Sequence, residues 1–150
     1  MEQMDPIRAQ RVWQRVSGNE AAADPLPRLI ALEQEAGLVY GKMAQCPNFS
    51  TTRLLARLRE ENRSFLQVYA GLLSLTSGDT PDPCPRHSLR GTPEGFAQHC
   101  WELRRQSLAL LNSAQLPSAC MGVLDTMKRR TTDHCALLAQ LIGLMKLQQA

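Results

Sequence analysis

Four stretches of the chain repeat apolar residues at the i, i+3, i+4, i+7 spacing of a helix that buries one face. The first covers roughly 25–45 and carries Leu26, Leu29, Ile30, Ala36, Tyr40 and Met43 on that face. The second, roughly 51–76, carries Leu55, Leu58, Phe65, Leu66, Tyr69, Leu72 and Leu73. The third, roughly 93–115, carries Ala97, Cys100, Trp101, Leu108 and Leu111, and the fourth, roughly 118–147, carries Val123, Leu124, Met127, Leu138, Leu141, Ile142 and Met145. No stretch alternates with the period of two that a half-buried strand needs, so the pattern predicts an all-α chain. Asp5-Pro6, Asp24-Pro25 and Thr92-Pro93 read as helix starts. The side-chain oxygen caps free backbone N–H groups, and proline tolerates the first helical position. The first of these pairs introduces a short additional helix, roughly 5–17, which SGNEAAAD ends.

The connections sort these helices into a topology. CPNFS and QLPS are short breaks, whereas SGDTPDPCPRHSLRGT is polar, rich in proline and glycine, and long enough to run the length of a bundle. One domain over 1–150 is expected: an N-terminal helix and linker (1–24), a hairpin (25–77), a crossover (78–92) and a second hairpin (93–148). Two antiparallel hairpins joined by one long crossover is the connectivity of a ferritin-like four-helix bundle; simple up-down bundles use three short loops and growth-hormone-type bundles two long crossovers.

Polar residues inside an apolar stripe are the candidates for chemistry, because they look into the core. Stepping 100° per residue puts Glu33 between Leu29/Ile30 and Ala36/Tyr40. In the second helix the conspicuous Glu60 and Glu61 fall off the stripe, and Asn62 and Phe65 fall on it. In the third helix Glu102 points away and Arg104 points in. In the fourth, Thr131 and His134 sit together between Met127 and Leu138. A buried carboxylate is costly without a partner, so Glu33 and Arg104 are expected to pair across the bundle. Asn62 and Thr131 would complete a polar network with His134.

Composition narrows the options. With 43% hydrophobic, 21% charged and 5% aromatic residues, the chain has the make-up of a helix-rich globular domain. No apolar run approaches the ~18 residues of a membrane span, so no membrane partner is expected. MEQMDPIRAQ lacks the apolar core of a secretory signal, which makes the cytoplasm the expected location. A net charge of +3 is mild and the basic residues are interspersed, so no nucleic-acid partner is expected. Arg53, Arg57, Arg59 and Arg63 read as a solvated face, with an acidic partner as the alternative. Five cysteines, odd in number and without a C-x-x-C pair, argue against a disulfide framework or a zinc ribbon. Cys84 and His87 form half of a metal motif with no visible other half. No nucleophile and base are paired, and no glycine-rich phosphate loop is present, so no catalytic residues are assigned.

The stretches RVWQRVSG, LIALEQEAGLVY, LREENRSFLQVYAGLLSLTSG, HCWELRRQSLAL and DHCALLAQLIGLM, in this order and with the Glu33-to-Tyr40 interval, resemble the rubrerythrin-like group of ferritin-like proteins. The resemblance implies a di-metal site in which Glu33 matches the first-helix ligand and His134 the last-helix histidine. Asn62, Phe65, Arg104 and Thr131 then stand where the family would carry glutamate, histidine, glutamate and glutamate. The expectation is a degenerate bundle that has lost di-iron binding. It would hold no cofactor and serve as a structural or interaction module, with a homodimer through a helix face as the partner the pattern allows. The alternative is a metal-binding oxidoreductase or peroxide-detoxifying protein that holds iron or manganese through Glu33 and His134.

Overall fold

Asp24 and Thr92 act as their place before a proline predicts. Asp24 Oδ1 accepts from Leu26 N–H (3.0 Å), and Thr92 Oγ1 accepts from Gly95 N–H (3.0 Å), each relieving a donor with no partner inside its helix. The structure, a computed structural model, describes residues 24–46 and 52–149. Among them are four α-helices, α1 (Leu26–Met43), α2 (Thr52–Ser77), α3 (Pro93–Ser113) and α4 (Met121–Gln149), with a 3-10 turn at Ser118–Cys120 before α4. No strand occurs among the described residues, and no helix there is long and apolar enough to cross a membrane. The short helix expected at 5–17 lies outside the described residues. At the end of α2, Gly78 takes a φ of 72° and its N–H returns to Ser74 O (2.9 Å), the left-handed stop that glycine adopts without a steric penalty.

The helices assemble around two apolar clusters. One holds Ala36, Tyr40 and Met43 late in α1, Leu55 and Leu58 early in α2, Phe96, Ala97 and Cys100 early in α3, and Leu138, Leu141 and Met145 late in α4. The other holds Leu26, Leu29 and Ile30 early in α1, Phe65, Tyr69 and Leu72 in the second half of α2, Leu111 late in α3, and Leu124 and Met127 early in α4. Along the bundle axis α1 and α4 therefore run one way, and α2 and α3 the other. α1 packs on α2 and on α3, and α4 packs on α3 and on α2, which leaves α1 diagonal to α4. The segment 78–92 carries the chain from one end of the bundle to the other, alongside α1.

Each helix buries residues at alternating intervals of three and four. These are Leu26, Leu29, Glu33, Ala36, Tyr40 and Met43 in α1, and Leu55, Leu58, Asn62, Phe65, Tyr69 and Leu72 in α2. They are Ala97, Cys100, Arg104, Ser107 and Leu111 in α3, and Leu124, Met127, Thr131, His134, Leu138, Leu141 and Met145 in α4. A mean step of about 3.5 residues is that of helices packing knobs into holes. Burying each large apolar side chain of this seam contributes about 1.5–3 kcal/mol. This seam corrects part of the stripes expected from sequence. Trp101, Leu108, Leu66 and Ile142 flank it, half-buried, and Val123 is 40% exposed because it lies one residue, or 100°, before the buried Leu124. Phe96, Leu103 and Ser107 are buried in α3 instead.

Candidate functional site

Between the two apolar clusters lies a polar layer. Glu33, Asn62, Arg104, Ser107, Thr131 and His134 are all buried there, and Phe65, fully buried, borders it. The Arg104 guanidinium donates to Glu33 Oε2 in an ion pair with both side chains 1% exposed. Asn62 Nδ2 donates to Glu33 Oε1 (2.8 Å) and to the Glu33 backbone carbonyl (2.9 Å). Both carboxylate oxygens of Glu33 are thus engaged by nitrogen donors from neighbouring helices. Gly37 makes this geometry fit, since a Cβ there would stand 2.9 Å from Asn62 Oδ1. Burial pushes the Glu33 carboxyl above its ordinary range, and Arg104 and Asn62 pull it back. The Arg104 guanidinium stays protonated in proteins and here gains further from Glu33.

A second polar unit sits beside the first. Tyr40 Oη and His134 Nε2 share a hydrogen bond of 2.7 Å across the α1–α4 diagonal. Burial, followed by the positive charges of Arg104, Arg130 and Arg57, drives His134 down to about 2, so its ring is neutral. Burial raises the Tyr40 phenol and holds the nearby Cys100 thiol up at about 12, which leaves neither a phenolate nor a thiolate for chemistry near neutrality. The expected network through Asn62, Thr131 and His134 is therefore replaced by two hydrogen-bonded units, which Arg104 couples electrostatically. Asn62 is taken by Glu33 on the adjacent helix, His134 is taken by Tyr40, and Thr131 faces the Tyr69 phenol instead. Ser107 Oγ and His134 Nδ1 are buried without a hydrogen-bond partner among the described residues.

Phe65 ties the layer together. Its ring centroid is 4.6 Å from the Arg104 guanidinium carbon and 4.7 Å from that of Arg130, and 5.6 Å from the His134 ring. Arg130, half-buried, also donates to Glu61 Oε2 (2.9 Å) and Ser64 Oγ (2.9 Å). Arg130, Tyr40 and Ser107 are the members of this assembly that sequence reasoning did not assign to it. Ser107 could have been found as the next step after Arg104 at the same interval. Arg130 could not, because it starts off the stripe and its long side chain folds back to the ring.

Neutrality of His134 has a measurable consequence. An unfolded chain takes up a proton on this ring near ~6.5, whereas the folded chain does not until about 2. The unfolded state thus binds the extra proton in this range. Stability from the neutral ring is full above ~6.5 and declines as the pH falls. The His134 imidazole resonances should stay fixed between about pH 8 and about pH 5, and His134→Gln should flatten the acid-side fall in melting temperature. Titration of His134 near its ordinary value would contradict the arrangement.

A pair of metal ions does not fit these residues. Glu33, the carboxylate of the layer, is engaged on both oxygens by Arg104 and Asn62, the Arg104 cation lies in the same layer, and His134 Nε2 is bonded to Tyr40. Among the described residues no group of three or more His, Cys, Asp or Glu side chains is arranged to hold a metal ion. All five cysteines are free. No family model, no curated protein and no solved structure matches the chain.

Proposed function

We propose that the chain is a degenerate ferritin-like bundle of the rubrerythrin-like kind, in which a buried ion pair fills the place of the two metals and the protein serves as a structural or interaction module. The Glu33–Arg104 pair carries this reading. In a ferritin-like carboxylate protein the facing helices supply glutamates and Glu-x-x-His pairs, all directed inward. The buried seam of α1 to α4 includes Glu33, Asn62/Phe65, Arg104 and Thr131/His134, a set of inward residues that supports this correspondence. The helix directions and the single long crossover support the same fold. With Arg104 in place, the layer reaches charge balance without metal ions.

Protein purified with iron or manganese added should carry far less than one metal per chain by elemental analysis. A stoichiometric metal that disappears in Glu33→Ala or His134→Ala would overturn the proposal and favour the metal-binding oxidoreductase.

A further inference from the structure

The crossover meets the bundle at a second cluster of ionisable groups, well away from the polar layer. Glu35 of α1 is 27% exposed and stands between two imidazoles. His87 Nε2 of the crossover lies 2.8 Å from Glu35 Oε2, and His99 Nε2 of α3 lies 3.5 Å from Glu35 Oε1. Cys84 of the crossover, which also feels Arg86, and Cys100 of α3 are ionisable groups coupled to Glu35. One carboxylate therefore joins α1, α3 and the crossover. Two further contacts secure the same segment: Gln34 Nε2 donates to Asp82 O (2.8 Å), and Leu89 packs on the apolar cluster of that end. Among the described residues, none of the backbone–backbone hydrogen bonds found outside the helices lies within 79–91.

We propose that Glu35, His87 and His99 form a pH-operated latch, which clamps the crossover to α1 and α3 when His87 is protonated and loosens when it is not. The chemistry is a change from a charge-assisted hydrogen bond to a neutral one. Protonated His87 is an imidazolium donating to a carboxylate, and deprotonation of the ring removes that charge. The hydrogen bond and charge of Glu35 raise His87 above its ordinary value. The latch is therefore tight below ~6.5 and is lost as the pH rises through the raised value. Because the groups are half-exposed, the change in crossover opening is about two- to fivefold. Release would free Leu89 and bare the part of the apolar cluster it covers.

The test is a nuclear magnetic resonance titration of the full chain, following the His87 ring protons and the Leu89 methyl groups. The expected result is a His87 midpoint above that of a Glu35→Gln variant, with the Leu89 methyl shifts following the same midpoint in the natural chain only. A His87 midpoint indifferent to Glu35→Gln, or Leu89 resonances that do not move with it, would overturn the latch. His99→Gln separates the arms: with both imidazoles contributing, the Leu89 response shrinks and persists. Glu35 and both histidines are partly exposed, so these variants fold.

Discussion

Arg104→Ala should lower folding stability by about 3–5 kcal/mol, because it strands the Glu33 carboxylate in the core. In a chain of this length that corresponds to a fall in melting temperature of roughly 6–20 °C. Arg105→Ala is the control. Arg105 is 60% exposed, pairs with Glu102 at 3.9 Å and lies 4.9 Å from the Trp101 ring centroid, contacts that contribute about 1 kcal/mol or less. Equal melting temperatures for the two variants would refute the ion pair as a structural element. The loss in Arg104→Ala should also shrink on acidification. Without its cation, Glu33 is left with the burial that raises its pKa, so the folded variant takes up a proton before the unfolded chain does and gains stability as the pH falls. Replacing both partners, as in Glu33→Leu with Arg104→Met, should cost less than Arg104→Ala alone, since no charge is then left buried.

Phe65→Ala should cost about 3–5 kcal/mol, the range for removing a buried aromatic ring and leaving a cavity. The surroundings set the outcome near the top of that range. Two guanidinium groups lie against this ring, and a cation over an aromatic face is worth about 0.5–2 kcal/mol depending on exposure. Phe65→Leu keeps apolar volume and removes the ring, so its loss measures the cation contacts more directly. Thermal unfolding of the three proteins makes the comparison. A loss below ~1 kcal/mol in Phe65→Ala would show that the neighbours close the gap and that the ring does not organise the layer. The Phe65 and Arg104 variants share partners, so their effects should not add.

Much of this architecture was legible in the sequence because helical phase is a local property. Leu26 to Met43 and Leu55 to Leu73 repeat at the right interval, and the same stepping rejected Glu60 and Glu102, both of which are exposed. Opposite charges at Glu33 and Arg104, each alone in an apolar stripe, had one economical arrangement. What local phase does not contain is the rotation of one helix against another. Tyr40 was visible as a buried residue, but its bond to His134 depends on two helices that face each other diagonally. Asn62 was expected with His134 of α4, and its bond to Glu33 of α1 depends on how α2 is rotated against these two neighbours. Val123 was misplaced because near the start of a helix few neighbours define the face. The crossover has no period, so the bond of His87 to Glu35 in α1 could not be read at all.

Gly37 and Asn62 share one small volume, the amide of one lying where a methyl group on the other would be. That imposes an order on sequence drift. A side chain can be gained at position 37 only after the amide at 62 has shortened or turned away, and the amide is not free to turn while Glu33 holds it. The two positions form an epistatic pair, so the route by which the centre of this bundle can change again runs through Glu33 first.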